Sequence, residues 1–282
     1  MVIKTYRDQF RAKLLDLYDE TEVDNFFYRL LDAYTDVKKY QLAIEPELCF
    51  TTEQVDLFNR ALDLLQNFTP IQYIVGHTYF YEGFFKVDSN TLIPRPETEE
   101  LVDLIIKNHT NQPHIKVLDI GTGSGCIAIS LASYLPQAQV TAFDVSEKAL
   151  VIAAENAKLN KVQVAFQLQN ILTTQHLENK YDIIVSNPPY VRNLEKQEIK
   201  PNVLEHEPHL ALFVEDDNPL LFYKKTTELA CTALTNKGVL YFEINQYLGP
   251  ETVAMIQKFN VFQSVTLLQD MFGNDRIIVA KK

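Results

Sequence analysis

The chain has 282 residues, 46% of them hydrophobic and 22% charged, a globular balance that excludes a disordered or fibrous protein. With 26 Lys and Arg against 37 Asp and Glu the net charge is -11, and no cluster of cations offers a grip on a nucleic-acid backbone. The apolar stretches fall short of the ~18 residues that span a bilayer. The first residues lack the apolar core of a signal peptide, and Cys49, Cys126 and Cys231 have neither disulfide nor zinc spacing, so a cytoplasmic protein without a metal is expected.

Residues 1–75 predict a small N-terminal helical domain. Phe10, Leu14, Leu15, Leu17 and Tyr18 recur at helical spacing, as do Phe26, Phe27, Leu30, Leu31 and Tyr34. Thr51-Thr52-Glu53-Gln54 is a capping signal for a third helix carrying Val55, Phe58, Leu62 and Leu65. Acidic residues outnumber basic ones here, which suits either a docking surface for a substrate or a purely structural cap. Residues 79–87 then predict a β-hairpin turning at Glu82-Gly83, so 76–95 reads as a connector and 96–282 as the second domain. Pro94-Arg95-Pro96 forces an extended piece before a helix from Glu97 to about Lys107.

From residue 115 strands alternate with helices. Strands are expected at 115–120, 139–143, 162–167, 181–186 and 237–243, with helices over 125–134 and 146–159. Repeated β-α-β units imply a parallel sheet with helices on both faces. Residues 261–268 and 276–280, joined by a Gly-containing turn, predict a closing antiparallel hairpin. His206 and His209 mimic a metal pair, but Pro208 between them breaks the helix such a pair would need.

Two segments carry chemistry. Gly121-Thr122-Gly123-Ser124-Gly125 follows the first strand and opens a helix, so its backbone can approach a ligand and its amides face it. The dinucleotide fingerprint is Gly-x-Gly-x-x-Gly, and here the third glycine comes one place early. Asp144, ending the second strand, could accept hydrogen bonds from ribose hydroxyls or cap the next helix. Together they favour an adenosyl ligand, and S-adenosylmethionine over NAD.

The second segment is Asn187-Pro188-Pro189-Tyr190, where two prolines stop the strand Tyr181–Ser186 at the carboxyl edge of the sheet. The Asn187 side-chain oxygen and the Pro188 carbonyl are both acceptors, suited to the two hydrogens of an NH₂ group. Holding them turns the delocalised lone pair of an amide or aromatic amine toward a methyl donor. Tyr190 could pack on the flat group that carries the nitrogen. No general base is evident. If the first and fourth strands are neighbours, both segments face one crevice.

Asn-Pro-Pro-Tyr after a strand is shared by amino-directed methyltransferases, including adenine-N(6) DNA enzymes. Pro70-x-Gln72-Tyr73-Ile74-x-Gly76, Leu92-Ile93-Pro94-Arg95-Pro96-Glu97-Thr98-Glu99, Asp119-Ile120-Gly121-Thr122-Gly123-Ser124-Gly125 and Glu207-Pro208-x-x-Ala211-Leu212 are more specific. In this order they resemble the peptide chain release factor glutamine N(5)-methyltransferases over essentially the whole chain. The resemblance implies a Rossmann-like class I S-adenosylmethionine-dependent methyltransferase sheet. It also implies methylation of the Gln in the Gly-Gly-Gln motif of class 1 release factors, leaving S-adenosylhomocysteine. By the same likeness Gly121 to Gly125, Asp144, Asn170, Ile171 and Asn187 hold the cofactor, while Asn187 to Tyr190 and Arg95 meet the acceptor.

An acid is more usual in the family where Asn170 stands. Residues 213–220 replace a glycine-rich stretch, and Asn245 replaces the glycine of Glu-Ile-Gly. The rival readings are a glutamine methyltransferase of a ribosomal protein, an adenine-N(6) nucleic-acid methyltransferase, and a silent cofactor-binding adaptor.

Overall fold

The computed structural model describes residues 1–282, and the chain divides into two compact units: Met1–Gly76 with Lys200–His206, and His77–Ile199 with Glu207–Lys282. In the first unit the helical periodicity becomes α1 (Ile3–Leu14), α2 (Glu20–Tyr34), α3 (Gln41–Ile44), α4 (Thr52–Gln66) and α5 (Ile71–Val75). Their apolar faces meet in one core that buries Phe10, Phe27, Leu30, Phe58 and Leu65. Thr51 and Gln54 form the capping box at the start of α4, each side chain taking the other's backbone N–H. Gly76, with φ of 77°, ends α5 in the left-handed region where a side chain would be strained.

The second unit opens with the hairpin β1 (His77–Phe80) and β2 (Gly83–Lys86), then α6 (Pro96–His109). The expected connector therefore groups with the sheet-bearing unit: Phe80 and Phe85 are buried in its core. Strands β3 (Lys116–Ile120), β4 (Gln139–Asp144), β5 (Ala165–Leu168) and β6 (Tyr181–Ser186) alternate with α7 (Cys126–Tyr134) and α8 (Glu147–Leu159). After β6 come β7 (Val191–Arg192), a 3₁₀ turn at Asn193–Glu198, α9 (Pro201–His206), which belongs with the first unit, α10 (His209–Leu212) and β8 (Phe213–Val214). The chain closes with α11 (Leu221–Ala233), β9 (Leu234–Glu243), α12 (Gly249–Gln257), β10 (Ser264–Gln269) and β11 (Asp275–Lys281).

The seven-stranded sheet runs β10-β11-β9-β6-β3-β4-β5. Pairing from β9 through β5 is parallel, and β11 joins β9 and β10 antiparallel, so the closing hairpin is present. The parallel strands are apolar on both faces. Val117, Ile183 and Val185 face one helical layer, while Leu118, Ile184 and Leu240 face the other. The chain winds from β3 outward to β5, then crosses back to place β6 on the other side of β3. That reversal is the switch point, where loops leaving adjacent strands part and a crevice opens.

Asn156 on α8 and Asn160 at its C-terminal cap, one turn apart, replace a missing neighbour for β2. Asn160 accepts from the Phe84 N–H and donates to its carbonyl; Asn156 does the same for Lys86, at 2.7 and 3.0 Å. Asn156, fully buried, also donates to the Ser124 carbonyl at 2.9 Å, joining the hairpin to the Gly loop. Replacing it with Ala leaves three backbone groups without this partner, among them the buried Ser124 carbonyl. Asn156→Ala is expected to lower stability by about 2–4 kcal/mol in urea unfolding, whereas a loss under about 0.5 kcal/mol would show that water takes over the role.

Candidate active site

The Gly loop and the tetrapeptide leave neighbouring parallel strands and border a single cavity of about 290 Å³. Ser186 at the end of β6 donates its hydroxyl to the Ile120 carbonyl at the end of β3, 2.7 Å away, so the two exits are tied together. Across the gap, a Cβ on Gly121 would stand 4.0 Å from the Asn187 carbonyl oxygen. Gly121 and Gly123 have φ of 77° and 56°, and no heavy atom lies within 4 Å of a Cβ added at Gly123. The backbone there lies open toward whatever fills the cavity.

Of the residues the sequence assigns to the cofactor, Gly121, Gly123, Asp144, Asn170, Ile171 and Asn187 line this cavity. Asp144 is the hub of the loop: its carboxylate accepts the Gly123 N–H and the Ser146 N–H, both at 2.8 Å. Ser146, not Asp144, caps α8 by accepting from the Ala149 N–H. Each Asp144 oxygen keeps a lone pair for a further donor. Burial raises its pKa, opposed by the backbone N–H groups of Ser146, Gly123 and Val145. Asn170 spends its side-chain oxygen on the Leu172 N–H, holding the turn that presents Ile171 and Leu172 as an apolar wall.

Thr122, Ser124 and Gly125 do not line the cavity; they build the loop from behind. Thr122 donates its hydroxyl to buried Asp119 at 2.6 Å. At Gly125, φ is 84° and an added Cβ would come within 2.8 Å of Ile129 and 3.1 Å of Ala153, so glycine lets α7 and α8 approach. An adenosyl ligand fits this set: open glycine backbone, a carboxylate with spare lone pairs, and apolar lining at Ile171 and Leu172.

Asn187, Pro188 and Pro189 also line the cavity. Asn187 donates through Nδ2 to the Thr98 hydroxyl at 3.2 Å, while its Oδ1 accepts nothing from the protein. Tyr190 differs from its expected place. Its ring packs on the core under the sheet, and its hydroxyl donates to Glu243 at 3.2 Å instead of bordering the cavity. Arg95 is likewise engaged elsewhere. Its guanidinium pairs with buried Glu207, whose other oxygen accepts the Ile93 N–H at 3.1 Å, so this ion pair closes two of the sequence motifs on each other.

The two departures from the family pattern are accommodated. Asn245 is buried and donates at 2.9 Å both to the Tyr190 carbonyl and to Glu195. The unusual 213–220 segment pairs with the stretch after the tetrapeptide: β8 runs parallel to β7, and Asp216 accepts the Leu194 N–H at 3.1 Å. His206 bonds to the Asn67 carbonyl, and no group of three His, Cys, Asp or Glu side chains is arranged for a metal. The sequence reading missed Thr98 and Glu243, although both stand in motifs it singled out.

Residues 98–210 match the Methyltransferase small domain family. A release factor glutamine methyltransferase of Flavobacterium psychrophilum is 55% identical over 281 residues, covering 99% of this chain and 98% of that one. The protein of the same name from Bacteroides thetaiotaomicron is 43% identical over 274 residues, 96% of this chain and 97% of that one. The chain belongs to the release factor glutamine methyltransferase family. A methyltransferase structure from Pyrococcus furiosus, 19% identical with a TM-score of 0.54, covers 79% of this chain and 98% of that one and shares the fold.

Within this family member, Asp119 is fully buried beneath the Gly loop and its Oδ1 has no partner, so burial pushes its pKa up to about 7. The folded state then keeps a proton that the unfolded chain releases near 3.8. Its stabilising contribution is full at lower pH and is lost as pH rises toward 7. Asp119→Asn should flatten the fall in Tm across that window and gain on the wild type at pH above it. An equally steep fall in the variant would contradict the assignment.

Proposed function

We propose that the chain methylates the side-chain amide nitrogen of the glutamine in the Gly-Gly-Gln motif of class 1 peptide chain release factors, with S-adenosylmethionine as donor. The observation that carries this reading is the free Asn187 Oδ1 on the wall of a cavity shared with the Gly loop. When bound, S-adenosylmethionine supplies an electrophilic methyl group. Gly121, Gly123 and Asp144 would hold it, with Ile171 and Leu172 against its base.

An amide nitrogen is a poor nucleophile because its lone pair is delocalised into the carbonyl. Asn187 Oδ1 and the Pro188 carbonyl would each accept one N–H, fixing the amide plane and favouring positive charge on nitrogen as the new N–C bond forms. Pro188 and Pro189 keep those acceptors rigid. One proton leaves the nitrogen after transfer, so no strong base is needed at the site. Tyr190 would act from below, its hydroxyl on Glu243 holding the end of the tetrapeptide in place. Arg95 would shape the mouth through Glu207 instead of touching the acceptor.

The helical unit Met1–Gly76 is the part of the chain proposed to dock the release factor. No helix is long and apolar enough to cross a membrane, in keeping with action in the cytoplasm, where translation terminates.

Asn187→Ala tests this reading. Transfer of labelled methyl to a release factor should fall by about 10²-fold or more, while S-adenosylhomocysteine affinity by calorimetry stays within a few-fold. Label entering a ribosomal protein or DNA in place of the factor would contradict the acceptor. A short Gly-Gly-Gln peptide, lacking the docking surface, should show a raised KM with kcat largely kept.

A further inference from the structure

Asn187 serves an NH₂ group only when its own amide is turned one way. Rotated by half a turn, it would present its NH₂ where the oxygen should be, and two NH₂ groups cannot bond each other. An isolated asparagine has no preference between the two. The surrounding hydrogen bonds impose one.

They begin at Glu243, the last residue of β9, which is 1% exposed. As a carboxylate it can only accept. Its Oε2 takes the Thr98 hydroxyl at 2.6 Å, which spends the one proton Thr98 has. Thr98 Oγ1 is left with lone pairs alone, so the Asn187 group that meets it at 3.2 Å must be the NH₂. The Asn187 oxygen is thereby the atom left for a substrate. The same carboxyl group takes the Tyr190 hydroxyl on Oε1 at 3.2 Å, so one buried side chain reaches the Asn187 end of the tetrapeptide through Thr98 and the Tyr190 end directly. Burial raises the pKa of Glu243, while the Thr98 hydroxyl, the Arg276 charge and the Tyr190 hydroxyl act against that rise.

We infer that Thr98 and Glu243 are positioning residues that set the polarity of the Asn187 amide, so that the site accepts an N–H donor such as a glutamine amide and rejects an acceptor-only group such as a glutamate carboxylate. Neither touches the reacting atoms. They act through Asn187, and the inference rests on the amide-methylating reading above.

The test compares Thr98→Val, Thr98→Ser and Glu243→Gln with the wild type. Thr98→Val keeps the shape and removes the hydroxyl; Glu243→Gln keeps the shape and makes the Thr98 proton's direction ambiguous. In Thr98→Val, kcat on the release factor should fall roughly 10–100-fold. S-adenosylhomocysteine affinity should stay close to wild type while Tm drops, because buried Glu243 loses a donor, and Thr98→Ser should restore most of the rate and of the Tm. A Gly-Gly-Glu peptide should compete weakly against the wild type and better against Thr98→Val and Glu243→Gln. Independently of any substrate, the Asn187 side-chain NH₂ resonances of ¹⁵N-labelled protein, assigned by their loss in Asn187→Ala, should show a proton protected from exchange. That protection should persist in Thr98→Ser and vanish in Thr98→Val.

Unchanged kcat and unchanged resonances in Thr98→Val would overturn the inference. So would a Thr98→Ser variant as slow as Thr98→Val, or a loss of cofactor affinity in step with the rate. A wild-type protein that leaves the release factor unlabelled would sink the proposed acceptor, while the resonances would still decide the roles of Thr98 and Glu243.

Discussion

The parallel pairing of β3 with β6 is the constraint from which the site follows. It sets Ile120 beside Ser186, so the loops that leave these strands, one rich in glycine and the other in proline, emerge side by side. Each loop suits its side of the crevice for a backbone reason. Glycines at positive φ open the peptide to a ligand, and prolines stop the strand at Ser186 and stiffen the backbone that follows it. Had β6 joined the far edge of the sheet, the same two segments would make two unrelated loops.

Around this seam the chain puts its buried polar groups to structural use. Asp119 under the Gly loop, Asp144 beside it and Glu243 under the tetrapeptide each hold backbone or hydroxyl donors that would otherwise be loose. Burying a carboxylate is costly unless several donors converge on it. Asp144 and Glu243 meet that condition on both oxygens, whereas Asp119 keeps one oxygen unpartnered, and burial pushes its pKa up to about 7. The partners of these carboxylates all come from the chain itself.

Much of this was legible in the sequence because it rests on local patterns. The strand runs at 116–120 and 181–186, the Gly loop between strand and helix, and the closing hairpin all carry short-range signals. The partners of Tyr190 and Arg95 were not legible because they lie far along the chain: Glu243 is 53 residues from Tyr190, and Glu207 is 112 from Arg95. Thr98 and Glu243, 145 residues apart, meet only through the folded sheet, and periodicity carries no trace of such a pair. Asn245, read as a departure from the family, bonds the Tyr190 carbonyl and so supports the tetrapeptide.

The central claim is that the Asn187 side-chain oxygen receives the acceptor's NH₂ in the crevice between the two loops. A crystal structure of the protein with S-adenosylhomocysteine and a release-factor peptide containing Gly-Gly-Gln measures this directly. The account predicts the glutamine amide nitrogen about 3 Å from Asn187 Oδ1, with Asn187 Nδ2 still on Thr98. A glutamine bound outside the crevice, or an Asn187 amide turned with its nitrogen toward the substrate, would contradict it.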